Sequence, residues 1–389
     1  MIAMEKSAKE ITLIGTLPPI KGVSDYCIQQ TKQLSKKTNV LFYNFKSIYP
    51  ELLYPGGKTK EKDPIFRFEK NSSLEVKNIL AWYNPLSWIF VGLNTKGKIV
   101  HFHWWTFFLF PVFFTIALIA RFRKKKVLCT IHNVISHESG VIDKILSKLI
   151  FSLPNHFIVH TKVNKKQLNG FFKIPEEKIS IIPHGIYDFY CDKKISKIEA
   201  RKNLNIPINA KALLFFGNIR KYKGLDDLVI AFKEARKKIP GLFLIVAGKS
   251  WNSEAEKKLK ESLGGITEKV LFLDYVSSSK IKYYFEATDI VILPYKDFAA
   301  QSGPGNIALG FKKPLIVSDT GGLPELVLNK NFVFNAGNTK QLAEKICLAF
   351  SKKSVLDSMV KNSIELRKKF SWESISTQTL KLYNELSSQ

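Results

Sequence analysis

The sequence predicts an α/β protein made of two doubly wound halves, each with a parallel sheet. Three observations predict it. An apolar strand at Glu10–Gly15 runs into a Gly-containing turn and a helical pattern through Leu34, the opening of a Rossmann-like unit. The same order restarts at Ala212–Phe216, with Gly217 and Gly224 bounding the turn and a helix following through about Ala235. Between the two, Tyr187–Ser196 loses periodicity and carries Asp-Lys-Lys, which reads as an interdomain linker. A chain of 389 residues has room for two domains.

Composition narrows the class. Hydrophobic residues make up 45% of the chain, enough for sizeable cores and against wholesale disorder. The net charge is +27, from 60 Lys and Arg against 33 Asp and Glu. That excess implies an anionic partner (nucleic acid, acidic lipid or a phosphorylated ligand) or a Lys-rich surface shaped by genome composition. Cys27, Cys129, Cys191 and Cys347 are far apart, with no CxxC, which fits a reduced cytosol. The N-terminal Met1-Ile-Ala-Met-Glu-Lys lacks the apolar core of a signal peptide.

In the first half, the turn Thr16–Tyr26 is not GxGxxG, so no dinucleotide site is expected. Gly22 either brings backbone N–H groups to a phosphate or belongs to an ordinary strand-to-helix turn. Strands are expected at Val40–Tyr43 and Lys98–Phe102. The second runs into His101-Phe102-His103-Trp104-Trp105, with two histidines on one strand face. No third His or carboxylate follows at useful spacing, so His103 is placed at an active-site rim and no metal site is expected.

The most apolar segment, Trp104–Ala120, contains Pro111 and is followed by the basic run Arg121–Lys126. A full membrane span would separate two strands, starting at Lys98 and Val127, that belong to one sheet. The segment is therefore a crossover helix. It either packs between sheet and surface or also dips into a bilayer with its basic run on anionic head groups. Its all-round apolar pattern favours the second. The strand from Val127 ends in His132-Asn133, where open α/β sheets place ligands. His132 is thus a candidate for contact with a sugar or a transition state, the alternative being a loop His satisfied by backbone.

In the second half, the turn Gly217–Gly224 carries Arg220, Lys221 and Lys223 just before a helix. It is an anion site or a solvated basic turn. Strands follow at Leu242–Ala247, Lys269–Leu273 and Asp289–Leu293. The last opens a stretch to Glu325: a loop Gln301-Ser302-Gly303-Pro304-Gly305-Asn306, a short helix, a second apolar strand and the loop Gly321-Gly322-Leu323-Pro324-Glu325. Glycines after strands and a helix start suit a phosphate or a sugar hydroxyl. The chain ends in helices at Thr339–Ser351, Val355–Lys369 and Ser371–Leu386.

These pieces together resemble the retaining glycosyltransferases of family 4, over nearly the whole length. The resemblance rests on Pro18-Pro19 with Gly22–Tyr26, on Thr130–Val134 with His137-Glu138, and on Ile182-Pro183-His184-Gly185. In the second half it rests on Gly217 with Lys223-Gly224, on Asp289–Tyr295, on Gln301-Ser302-Gly303, and on Pro314 with Gly321–Glu325. It implies the GT-B fold: two Rossmann-like domains facing a cleft, with the last helix crossing back to the first. The expected domains are 1–190 for the acceptor, 191–370 for a nucleotide-sugar donor, and 371–389 for the crossing helix.

The resemblance further implies sugar transfer from a nucleotide diphosphate sugar, with retention and no metal or other cofactor. Lys223 with Arg220 would hold the diphosphate and steady the leaving group. Gly22, Gly217, Asn218 and Glu325 would adjoin the donor, and the backbone at Val276 would read its base. His132 would contact the donor sugar. His103, Asn133 and His137 would line the acceptor side.

Departures from the family pattern are concentrated in the donor loop. Many members carry two Glu separated by seven residues, for sugar hydroxyls and ribose; those positions hold Ala299 and Ile307 here. A branch with Gln-Ser-Gly in this loop also lacks the pair. Donor binding is then expected to rest on backbone N–H groups at Ser302, Gly303, Gly305 and Asn306. The Arg usual after the first Gly of the phosphate loop is Asn218, with Arg220 as its substitute, and the Gly usual before Lys313 is Lys312.

The sequence thus points to a cytoplasmic glycosyltransferase, peripheral on the inner face of the cell membrane, with a lipid-linked saccharide or growing glycan as acceptor. Two alternatives remain open. A GT-B epimerase or hydrolase of sugar nucleotides would need an acid/base pair from Glu325, Glu138 or Asp25. A nucleic-acid binder would draw on the charge, but the chain has no RNP-type aromatic–basic motif, helix-turn-helix or zinc spacing, and no nucleic-acid partner is expected.

Overall fold

The structure is a computed structural model that describes residues 10–50, 59–60, 72–134, 141–191, 195–250, 253–298 and 301–389. His137, Glu138 and Ala299 lie outside the described residues. The chain divides into two compact units: Met1–His184 with Trp372–Gln389, and Gly185–Ser371. The division after His184 precedes the expected boundary at 190.

Unit 1 runs β1 Glu10–Gly15, α1 Ser24–Leu34, β2 Asn39–Ser47, β3 Leu74–Ala81, α2 Pro85–Leu93, β4 Ile99–Trp104 and α3 Phe110–Phe122. It continues with β5 Lys126–Ile131, α4 Val141–Phe151, β6 His156–Val159, α5 Lys162–Phe172 and β7 Ile179–Ile181. All seven strands pair in parallel, in the order β3-β2-β1-β4-β5-β6-β7. The order reverses at β1–β4, so the turn after β1 and the ends of β4 and β5 share the carboxyl edge where such sheets take ligands. The inner strands β1, β4 and β5 are buried along both faces because helices cover both, whereas the edge strand β3 is partly exposed.

The element β3–α2 has no counterpart in the strands and helices expected from the sequence.

Unit 2 runs α6 Lys197–Asn203, β8 Lys211–Phe216, α7 Leu225–Arg236, β9 Leu242–Ala247, α8 Ser253–Ser262, β10 Lys269–Phe272, α9 Ile281–Ala287 and β11 Ile290–Leu293. It continues with α10 Gly303–Gly310, β12 Leu315–Ser318, β13 Val333–Phe334, α11 Thr339–Ala349 and α12 Lys353–Lys369. The strand order is β10-β9-β8-β11-β12-β13, again parallel and again reversing beside its first strand. A buried polar cluster fixes the start of β11. Asp289 binds Arg201 Nη2 at 2.9 Å and the Ala212 N–H at 2.8 Å, and also pairs with Lys197. Arg201 is 2% exposed and donates from Nε to the Ala287 carbonyl at 3.0 Å.

The terminal helix α13, Trp372–Ser388, belongs to unit 1. Its Trp372, Ile375, Leu382, Tyr383 and Leu386 join the core formed by β1 and α1.

The apolar pattern of the crossover helix, from which contact with a bilayer was expected, is accounted for over most of its length by packing within the unit. Val112, Phe113, Ile116, Ala117 and Ala120 of α3 are buried against the sheet, and Phe110 and Phe114 pack on the same core. Its flank meets α2 so closely that a Cβ on Gly92 would lie 2.9 Å from Ile119 Cβ. A helix enclosed by a sheet and a neighbouring helix is apolar all round without lipid. Among the described residues, no helix is long and apolar enough to cross a membrane. Exposed apolar side chains of this unit include Leu86, Ile89, Phe90 and Leu93 of α2, Ile142, Ile145 and Leu149 of α4, Phe108, and Phe122 at the end of α3.

Candidate active site

In unit 2 the strand β8 delivers the chain into Gly217, at φ 103°. The turn then closes as a 3-10 turn, Lys221–Lys223, ended by Gly224 at φ 65°. Gly224 has no room for a side chain, since a Cβ would strike the Pro294 carbonyl oxygen at 1.9 Å. This geometry folds Lys223 inward while Asn218, Arg220 and Lys221 stay exposed. Lys223 is 8% exposed, and its Nζ lies 5.4 Å from the Tyr295 ring centre. A Cβ on Gly217 would lie 3.0 Å from Nζ and 3.3 Å from Pro304, so the glycine lets the ammonium and the start of α10 approach one backbone.

Among the described residues no carboxylate pairs with Lys223. Burial, aided by the Arg220 charge, lowers its pKa to about 8. A buried cation without a counter-ion is a place for an anion.

The donor loop spends its polar groups differently from expectation. Ser302 caps α10, its Oγ accepting from the Gly305 N–H at 3.3 Å and bonding Tyr295 Oη at 3.0 Å. The Asn306 N–H goes to the Ser302 carbonyl at 3.0 Å. The N–H groups of Gly305 and Asn306 are therefore consumed by the first helical turn, as helix geometry requires. Those of Ser302 and Gly303 have no partner among the described residues. The Asn306 side chain is left open instead: its amide is buried, and neither its N nor its O has a partner among the described residues. Ile307 is buried in the apolar core, so that position supplies no polar contact.

Val276 is buried, yet its backbone N–H and C=O bond to no described residue. Glu325 is half-buried in the short turn Leu323–Leu326.

Unit 1 contributes a cluster of imidazoles at the carboxyl edge of its sheet. His103 is the penultimate residue of β4, His132 directly follows β5, His160 directly follows β6, and His184 lies a little past β7. Tyr26 of α1 sits among them, with ring centres 5.4, 4.8, 5.2 and 5.0 Å from those four and 5.0 Å from Trp372 of α13. His103 Nδ1 lies 3.2 Å from His132 Nε2, and His132 Nδ1 lies 3.4 Å from His160 Nε2. His160 Nδ1 reaches the Ile182 carbonyl at 2.9 Å. His101 is tied separately, to Tyr383 Oη at 2.6 Å and Thr130 Oγ1 at 2.7 Å. Burial lowers the pKa of His101 to about 3 and of His160 to about 4, and holds His103 and His132 well below their ordinary value. His101, His103, His132 and His160 are therefore neutral near pH 7.

The placement of His103 at a rim is corrected. It is wholly buried, because β4 lies between β1 and β5 and the face carrying His101 and His103 meets α1 and α13. Asn133 is exposed and donates to the Trp105 carbonyl at 3.4 Å. Gly22, at φ 108°, is exposed beside the Trp105 ring, and its N–H has no partner among the described residues. Among the described residues no group of three or more His, Cys, Asp or Glu side chains is arranged to hold a metal ion.

The cluster around Tyr26, with His160 and His184 as members, and the separate buried link of His101 were not expected from the sequence. A signal was present: histidines recur at or just past the ends of successive strands.

The two parallel-sheet units, each reversing beside its first strand and each with its polar groups at the carboxyl edge, define a GT-B glycosyltransferase architecture. Solved structures share it over almost the whole chain. Sucrose-phosphate synthase from Thermosynechococcus elongatus matches with a TM-score of 0.70 at 17% identity, covering 98% of this chain and 99% of that one. Anabaena HepE in complex with UDP matches with a TM-score of 0.71 at 16% identity, covering 98% and 100%.

The model for glycosyl transferases group 1 matches residues 196–366, and that for glycosyltransferase family 4 matches residues 55–188. The chain belongs to these glycosyltransferases. Among curated relatives, a glycosyltransferase of Methanocaldococcus jannaschii is 26% identical over 58% of this chain and 59% of its own length. The D-inositol 3-phosphate glycosyltransferase of Corynebacterium efficiens is 23% identical over 58% and 55%. A lipopolysaccharide 1,2-N-acetylglucosaminetransferase of Salmonella typhimurium is 27% identical over 42% and 44%. The chain thus spans less than two thirds of the length of these relatives.

Proposed function

We propose that the protein transfers a hexose-type sugar from a nucleotide diphosphate sugar to a lipid-linked saccharide or growing glycan, with retention at the anomeric carbon and without a metal. The observation that carries this reading is Lys223, a buried ammonium beside Gly217 and the start of α10 with no carboxylate partner among the described residues. As the bond from the anomeric carbon to the β-phosphate oxygen breaks, negative charge grows on the leaving diphosphate. Lys223, with Arg220 supplying forked donors, stabilises it. The free N–H groups of Ser302 and Gly303 and the unspent Asn306 amide are assigned to the donor, replacing the absent acids. Val276 is assigned to the base by its open backbone groups, Gly22 to the diphosphate and His132 to the sugar. The HepE complex with UDP-glucose, of the same fold, supports a nucleotide-sugar donor. Retention and metal independence rest on the family resemblance.

The acceptor is assigned to a membrane surface from the exposed apolar side chains of α2 and α4, accompanied by the basic run Arg121–Lys126 on the same unit. The functional reading is tested by incubating purified protein with a panel of nucleotide sugars and measuring nucleoside diphosphate release. Release with one sugar nucleotide is expected. Binding to none of them, with tight, salt-sensitive binding to DNA or RNA, would overturn it.

A further inference from the structure

The imidazole cluster of unit 1 has a direction. A carbonyl oxygen only accepts, so His160 Nδ1, 2.9 Å from the Ile182 carbonyl, carries its proton. In the neutral ring His160 Nε2 is then an acceptor, and His132 Nδ1 at 3.4 Å must be the donor. That leaves His132 Nε2 as an acceptor, and His103 Nδ1 at 3.2 Å is its donor. The chain ends at His103 Nε2, left as a bare lone pair; this atom is buried and has no partner among the described residues. An orphaned acceptor at this end, and only here along the chain, is what the directed arrangement requires. The low basicity of all three rings keeps them neutral, and only the neutral array has a single direction.

We propose that His103 and His160 are positioning residues that hold His132 as one tautomer, protonated on Nδ1, through hydrogen bonds anchored on the Ile182 carbonyl. His132 then presents a donor at Nδ1 and never at Nε2. In the free protein His160 Nε2 occupies that donor. A sugar hydroxyl accepting from Nδ1 takes the place of His160, while His103 continues to pin Nε2 as an acceptor. The tautomer is chosen before the ligand arrives, so binding spends nothing on choosing it. The kinetic part of this proposal rests on the transferase reading; the tautomer itself does not.

The test begins with the full chain labelled with 15N-histidine and read by long-range imidazole proton–nitrogen correlation, without any ligand. His132, His103 and His160 are expected each as a single Nδ1–H tautomer. A mixture of tautomers at His132, or an Nε2–H form, overturns the proposal whatever the enzyme does. His160→Leu is expected to release His132 into a tautomer mixture, and His160→Gln, whose side-chain oxygen replaces the Nε2 acceptor, to restore one form. For sugar transfer, His103→Leu is expected to lower kcat by about tenfold to a hundredfold, the scale on which orienting partners act. The donor KM should change far less. His103→Asn keeps a donor at the Nδ1 position and should recover most of the rate. Equal loss in both His103 variants, with an unchanged His132 spectrum, would reduce His103 to a packing residue and overturn its assignment. If no sugar is transferred at all, the transferase reading fails while the tautomer measurement still decides this one.

Discussion

Lys223 combines two opposed requirements in one residue. Its ammonium is held out of water with no counter-ion, at a pKa lowered to about 8 by burial and the nearby Arg220. The sign of the effect on the empty protein follows. With its pKa lowered from 10.5 to about 8, the folded state binds fewer protons than the unfolded chain between those values. Stability thus rises with pH across that window, and the full penalty is present below about 8. Lys223 therefore destabilises the empty protein at neutral pH, by up to about 3 kcal/mol. Lys223→Met is expected to raise the thermal midpoint and weaken nucleotide-sugar binding by at least about tenfold, read by calorimetry and by titration. A variant that binds donor normally would remove Lys223 from the site. Donor affinity in the native chain should also fall as pH rises through about 8, because the ammonium is then lost.

The buried histidines act with a definite sign too. His101 and His160 remain neutral down to about 3 and about 4, whereas unfolded histidine takes up a proton near 6.5. The stability they contribute is complete above pH 6.5 and is lost as pH falls toward 4, at about 1.4 kcal/mol per pH unit for each histidine. Chemical denaturation across that range should show a steep decline. A flat profile would mean that these rings are not buried in solution.

At the level of the element, the start of β11 depends on one carboxylate. Asp289 joins Arg201, Lys197 and the Ala212 N–H, and so ties α6, β8 and β11 together. Asp289→Ala leaves the guanidinium of Arg201 buried without its charge partner. The expected cost is about 3–5 kcal/mol, measured by denaturant unfolding. A change below about 1 kcal/mol would show that Arg201 finds compensation in the carbonyls of Ala287 and Ile208. The donor loop follows the same logic of accounting for every polar group. Its helix had to spend two of the four expected N–H groups on its own first turn, which moved the open valences to Ser302, Gly303 and the Asn306 side chain. Similarly, most of α3 is apolar because the sheet and α2 pack against it, whereas the apolar side chains left to solvent around it belong to α2, to α4 and to its own last residue, Phe122.

For the molecule as a whole, a net charge of +27 and these apolar side chains predict binding to anionic vesicles. Flotation with acidic lipid at low salt should carry the protein upward, and about 0.5 M salt should release much of it as the charges are screened. Replacing Leu86 and Phe90 by Ser should weaken flotation without altering donor binding. Protein that stays at the bottom at low salt would end the membrane assignment.

Two parallel-sheet units, their strand-end loops and the basic Gly-bounded turn were legible in the chain, because apolar runs, Gly positions and basic clusters are local patterns. Asn306 as a side-chain donor, His103 as a buried link and α2 as the exposed helix were not, because burial and hydrogen-bond pairing depend on neighbours distant in sequence. The sequence by itself determined which strands, turns and charged groups exist. Only the tertiary structure decided which of their polar groups remain unspent, since each N–H, carbonyl and imidazole nitrogen is committed or left open by whatever folds against it.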